Sequence, residues 1–211
     1  MEELAKPNTS IVIKFGEKEN LRMLQQGDLY VCPLRKYVED EKLQYGISDE
    51  NEGVSKCGTV KYKVNLDYPI FCLYRPDYGT SKGVNTITYV KDIFNMYSHA
   101  LVIDANKLYE KISESCGKEY TFAYHDVVYG KCSKLIKAPF QKNTEFKEQN
   151  EIRYVFLDLR KYLGKDINGV DKYGAPIISA NGEVFLKLGD LNSISKLVRK
   201  EELDGMEFYI D

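Results

Sequence analysis

Between Gln141 and Leu157 the chain reads QKNTEFKEQNEIRYVFL, a charge-dense run that passes into an apolar one without a glycine or proline break. Its second half, Ile152-Arg153-Tyr154-Val155-Phe156-Leu157, is dominated by β-branched and aromatic residues, the composition of a strand. Glu148, Glu151 and Arg153 therefore fall where a polar loop enters a sheet. Glu151 and Arg153 are two residues apart, and on a strand that spacing points both side chains to one face. A carboxylate beside a guanidinium at a strand entrance suits a polar pocket. On a solvated edge the same two groups would form only an i, i+2 ion pair worth under about 1 kcal/mol. If the face is covered, Arg153 must find an anion, because an unpaired buried charge is costly, and Glu151 is the nearest candidate.

The remaining chemistry-bearing residues give weaker signals. His99 and His125 are the only histidines, and their neighbouring carboxylates, Asp104 and Asp126, are near only in sequence, so a hydrogen-bonded structural role is the simpler expectation. Five cysteines are widely spaced with no C-x-x-C pattern, which speaks against a zinc site or disulfide framework and for inert thiols. Gly79-Thr80-Ser81-Lys82-Gly83 lacks the spacing of a phosphate loop and reads as a flexible loop. Lys131, Lys134, Lys137, Lys142 and Lys147 cluster in one segment, as a solvated face or a local basic groove.

Composition sets the limits. With 211 residues, 43% hydrophobic and 29% charged, the chain suits one soluble domain with a real core. A net charge of −2 gives no global reason to bind nucleic acid or a membrane. No apolar run reaches the roughly 18 residues of a membrane span, and MEELAKPNTS lacks a signal peptide's apolar core, so a cytoplasmic protein is expected. Seventeen tyrosines and no tryptophan suit half-buried sheet surfaces and rings able to stack on a ligand.

The pattern predicts strands over 10–15, 28–34, 59–65, 69–74, 100–103, 119–129, 152–157, 184–188 and 206–210. Helices are expected over 17–26, with Gly27 as its stop, over 86–97, over 105–116 with Asp104 as N-cap, and over 191–200, with a helical turn over 35–42. Polar loops are expected over 43–58 and 78–85, and irregular chain over 158–180. The class is α+β: a single domain over 1–211, mostly antiparallel sheet with a few peripheral helices around one core.

Four segments taken in order resemble an uncharacterised family of bacterial cytosolic proteins associated with phage-defence genes. They are Lys14-Phe15-Gly16 with a helix and Gly27-Asp28-Leu29-Tyr30; Phe71-Cys72-Leu73-Tyr74; His99-Ala100-Leu101-Val102-Ile103-Asp104; and Glu148-Gln149-Asn150-Glu151-Ile152-Arg153, with Leu188-Gly189-Asp190-Leu191 downstream. The family's commoner form has an F-N-D-P-like turn where this chain has Arg35-Lys36-Tyr37. Gln149-Asn150-Glu151 is also similar to the Q-x-E signature of ADP-ribosyltransferases.

That resemblance implies an ADP-ribosyltransferase-like fold and NAD as the substrate. Glu151 would be the catalytic carboxylate, stabilising an oxocarbenium-like transition state, with Gln149 orienting the acceptor and Arg153 supporting Glu151. Lys14, Tyr30 and Tyr74 would lie at the NAD site, and Glu151→Gln would leave the fold intact and remove turnover. Where the superfamily has an Arg or His on the first strand and hydroxyl residues on a middle one, this chain has Lys14 and then Cys72 and Tyr74. Two rivals stay open: a non-catalytic module binding a protein or nucleotide through its tyrosine-rich face, and a metal-independent nuclease using His99 or His125 with Glu151.

Overall fold

The computed structural model describes residues 9–39, 54–57, 60–63, 68–78, 82–89, 93–117, 120–130, 139–158 and 183–210. Of the expected polar loop over 43–58, Val54–Cys57 form a strand instead and the rest lies outside the described residues, as do most of the irregular chain over 158–180 and Lys131, Lys134 and Lys137. The chain runs β1 (Ile11–Gly16), α1 (Lys18–Gln25), β2 (Asp28–Pro33), α2 (Leu34–Glu39), β3 (Val54–Cys57), β4 (Val60–Lys63), β5 (Pro69–Tyr74) and β6 (Gly83–Thr86). It continues with β7 (His99–Asp104), α3 (Ala105–Cys116), β8 (Tyr120–Asp126), β9 (Val128–Tyr129), β10 (Gln141–Lys142) and a 3-10 helix over Thr144–Gln149. The last elements are β11 (Glu151–Asp158), β12 (Val184–Lys187), β13 (Ser195–Arg199) and β14 (Glu207–Ile210).

Local chemistry explains the elements that were legible. Leu21 and Leu24 bury one stripe of α1, and Gly27 turns the chain at φ +96°, its N–H bonded to the Leu24 carbonyl at 2.8 Å. A Cβ there would fall 2.1 Å from the Gly189 carbonyl oxygen, so the close approach of these two turns requires glycine. Asp104 caps α3, its Oδ1 accepting from the Lys107 N–H at 3.0 Å, while Leu108 and Ile112 face the core. Asp104→Ala is expected to destabilise the fold by about 1 kcal/mol, which a denaturant titration resolves as a lower midpoint at unchanged slope.

Two expected helices are not formed. Thr86 to Tyr89 is extended instead, with Ile87 and Tyr89 buried and Thr86 and Thr88 exposed, a period of two; a turn at Ile93–Met96 follows. Residues 191–200 form a turn and then β13, because Ser195–Arg199, with Leu197 and Val198, gain an antiparallel ladder against β7. Pairing across the sheet overrides a helical reading that rested on weak local preference. The expected loop over 78–85 contains the start of β6, paired with β14. The expected 119–129 strand breaks at Val127, whose N–H leaves the ladder for the Glu151 carbonyl at 2.8 Å.

The main sheet has eight strands, ordered β12-β2-β5-β1-β7-β13, with β11 on β5 and β8 on β11, and every pairing in it is antiparallel. The result is α+β architecture with mostly antiparallel sheet and few helices. One edge of β5 pairs with β11 along Ile70–Tyr74. The opposite edge is shared: Pro69 and Ile70 pair with β2, while Tyr74 pairs with Ile13 of β1. The sheet therefore forks at Cys72, and the Lys14 ammonium enters the gap and donates to the Cys72 carbonyl at 2.9 Å.

The face carrying α1 and α3 holds the largest core, built on Val12, Val31, Phe71, Leu73, Leu101, Ile103, Leu108, Ile112, Tyr154 and Phe156. On the opposite face, Ile13, Phe15, Tyr74, Ala100 and Val198 pack with Ile87 and Tyr89, while Leu34, Ile70, Phe140 and Val155 form a smaller cluster. Period-two alternation on β5 and β11 places Cys72, Glu151 and Arg153 on this second face, between the two apolar clusters.

Candidate functional site

Glu151 opens β11 opposite Tyr74, and Arg153 lies opposite Cys72. Both charged residues are buried, 7% and 1% exposed, so the solvated-edge arrangement does not occur. Arg153 Nε donates to Glu151 Oε1 at 2.6 Å, Nη2 donates to Oε2 at 3.3 Å, and Nη1 donates to the Pro139 carbonyl at 2.7 Å. Lys142 Nζ bridges Glu151 Oε2 at 2.8 Å and Gln149 Oε1 at 2.6 Å. Three charged N–H donors, two from Arg153 and one from Lys142, therefore converge on this carboxylate and engage both of its oxygens. Its backbone is fixed as well, the N–H going to the Tyr129 hydroxyl at 2.8 Å and the carbonyl accepting from Val127.

These contacts set the protonation states. Burial by itself would raise the Glu151 carboxyl, but the Arg153 and Lys142 charges and the Arg153 and Cys72 hydrogen bonds outweigh it and hold the group well below the usual carboxylate range. Burial, then the Glu151 charge, pushes the Cys72 thiol well up. Cys72 is thus a hydrogen-bond donor and not an activated nucleophile.

The turn before β11 determines which polar groups point inward. Asn150 adopts the left-handed region, φ 36° and ψ 54°, a conformation asparagine tolerates. Its carbonyl accepts from the Arg75 N–H at 2.9 Å, its Nδ2 donates to the Arg75 carbonyl at 2.7 Å, and its Oδ1 accepts from Arg75 Nη2 at 3.1 Å. Arg75 also pairs with Asp126 at 2.9 Å. This clamp turns Gln149 into the protein and leaves Glu148 exposed.

A pocket of about 70 Å³ opens above the cluster, lined by Ile13, Lys14, Phe15, Cys72, Leu73, Tyr74, Phe94, Tyr97, Lys142, Gln149, Glu151 and Arg153. Five residues singled out in the sequence meet here: Glu151, Gln149, Arg153, Lys14 and Tyr74. Tyr30 does not. The fork carries β2 away from β1, so Tyr30 lies 44% exposed against Phe185, its hydroxyl donating to Glu183 at 2.7 Å and accepting from Lys36 at 2.8 Å. Lys142 was legible only as one lysine among several, and Phe94 and Tyr97 were hidden by the helical reading of their segment. Lysine placement depended on β10 pairing beside β9, which no local pattern announces.

Among the described residues, three cations (Lys14, Lys142 and Arg153) and one carboxylate line this pocket. The rings of Phe15, Tyr74, Phe94 and Tyr97 line it beside Ile13 and Leu73. Phe94 has φ +61°, a region bulky side chains avoid, at an expense of order 1–3 kcal/mol. Its ring stacks on Phe15 at 4.6 Å and 18° and meets Tyr74 edge-on at 6.0 Å. The histidines lie elsewhere: His99 contacts Ser98 Oγ at 2.8 Å, and exposed His125 donates from Nδ1 to the Asp126 carbonyl at 2.6 Å. Among the described residues no three His, Cys, Asp or Glu side chains are grouped to hold a metal ion, and no helix is long and apolar enough to cross a membrane. No protein-family model, curated protein or solved structure matches the chain.

Proposed function

We propose that this chain is a nucleotide-binding module with NAD as its candidate ligand, and that Glu151 organises the cationic floor of the pocket instead of touching the ligand. The observation that carries this reading is the engagement of both Glu151 oxygens by Arg153 and Lys142 beside an excess of positive charge. A ribose hydroxyl would have to compete with these charged donors for that carboxylate. An anionic group would instead meet a net positive field in a partly enclosed site, where charge acts strongly. Lys14 is the natural contact: its ammonium carries three donors, one of which goes to the Cys72 carbonyl. The pocket of about 70 Å³ has room for several waters, each needing about 10–15 Å³ of such volume. It admits a phosphate-sized group, and aromatic rings wait at its wall.

A thermal-shift titration with NAD, ADP-ribose, ATP and inorganic phosphate tests this. Ligand at 100 times its Kd stabilises by about 2.7 kcal/mol, and for a chain of this size that raises Tm by roughly 5–10 °C. No shift with any of the four would end the reading.

ADP-ribosyl transfer is the second reading. It is favoured by one feature, that Glu151 is held ionised in the pocket that Gln149 also borders, as an anion facing an oxocarbenium-like centre must be. It requires Lys142 or Arg153 to release an oxygen of Glu151 during turnover. The phage-defence setting implied by the sequence resemblance is where its acceptor would be sought. Label transferred from NAD to lysate proteins, or NAD hydrolysis, would support it; neither occurring would leave the binding module alone.

A further inference from the structure

We infer that Phe94 occupies a ring subsite of this pocket, and that the planar ring of the ligand, a nicotinamide or nucleobase, stacks on Phe15 when Phe94 moves aside. This rests on the reading of the pocket as a site for a ring-bearing anion. Among the described residues only Phe94 and Asn150 are non-glycine residues at positive φ. For Asn150 the residue type and its bonds to Arg75 account for the conformation. Phenylalanine has no such tolerance, and backbone strain of this kind gathers at ligand clamps and switches.

The strain is held in place from both sides. The Tyr89 hydroxyl binds the Ile93 carbonyl, and the Tyr97 N–H binds the Phe94 carbonyl at 3.0 Å. What this arrangement secures is a phenyl ring lying nearly parallel on Phe15 at the wall of the pocket. Its departure would enlarge a cavity of about 70 Å³ on the side of Phe15, giving room to the ring-bearing part of a nucleotide. A ligand ring replacing it would recover the stacking contact, since offset-stacked rings attract beyond their buried area. Displacing Phe94 also releases its backbone from the unfavourable region. The subsite is therefore closed by a stand-in that the ligand can replace.

Two substitutions and one label test this. Phe94→Asn and Phe94→Gly both accept positive φ while removing the ring. If Phe94 must leave before the ring enters, the apparent Kd is the intrinsic Kd divided by the fraction of open protein. Both variants should then bind NAD about tenfold more tightly, mostly through faster association, with the Kd for inorganic phosphate changed by less than about twofold. Fluorophenylalanine incorporated throughout the otherwise unaltered chain gives a second readout that does not depend on the variants folding. The 19F resonance assigned to Phe94, by its loss in a Phe94→Leu sample, should move on adding NAD and stay fixed on adding phosphate. Unchanged or weaker NAD binding in both variants, or a Phe94 resonance indifferent to NAD, would overturn the subsite while phosphate binding upheld the pocket. Binding of neither NAD nor phosphate by wild type and variants would overturn both.

Discussion

Arg153→Ala is expected to destabilise the fold by about 3–5 kcal/mol, the usual penalty for removing one partner of a buried ion pair. For 211 residues that lowers Tm by roughly 6–20 °C. Arg153 is among the largest fully buried side chains of the described residues, so its truncation also leaves a cavity and strips a donor from the Pro139 carbonyl. Glu151 would keep Lys142 and Cys72 but lose both guanidinium contacts. A variant that melts like wild type would show that this strand end is not covered as described. Apolar residues of similar volume often stabilise as well as or better than a buried ion network. Its presence under a pocket therefore fits a binding role better than a purely structural one.

Glu151→Ala is the second large effect and should equal or exceed the first. It leaves Arg153 and Lys142 as two close cations with their shared carboxylate gone. Like charges in a low-dielectric site repel strongly and have no water to relieve them. Glu151→Gln keeps the shape but not the charge and should lose stability in the same direction, against the sequence-based expectation of an intact fold. Anions supply a further check: phosphate should recover part of the lost stability in Glu151→Ala and far less in Arg153→Ala.

The same carboxylate sets an acid limb. The folded-state carboxyl titrates below its unfolded value, so as pH falls the unfolded chain takes up the proton first and stability drops. The contribution is complete above the ordinary glutamate range, near pH 4.3, and is lost progressively below it. Melting curves of wild type and Glu151→Gln should therefore be far apart at pH 7 and converge toward pH 3. A constant gap across that range would mean that Glu151 is not held ionised by its neighbours.

What the sequence made legible follows from how local each signal is. The spacing of Glu151 and Arg153 on an apolar strand fixed their shared face, and Asp104 announced a cap through its own side chain. The strand–helix–strand start was readable because Leu21, Leu24 and Gly27 each carry a local reason. The pocket was only half readable. Lys142 reaches Glu151 through the long-range placement of β10, and Phe94 reaches Phe15 through a turn that breaks the backbone preference of its residue type. Tyr30 lies away from this pocket because the fork at Cys72, a property of three strands together, takes β2 elsewhere. The segments holding residues 86–89 and 195–199 looked helical because their extended form is imposed by partners distant in sequence, β14 with its preceding turn and β7.

The central claim, that the pocket holds an anionic nucleotide group against Lys14, is tested most directly by isothermal titration of wild type and Lys14→Met with NAD. Methionine keeps much of the apolar stem and removes the ammonium. Loss of one charged contact should weaken binding at least about tenfold, equivalent to about 1.4 kcal/mol, with the fold retained and the melting temperature lowered only by the lost bond to the Cys72 carbonyl. Equal NAD affinity in the two proteins, or no measurable NAD binding to wild type, would contradict the account.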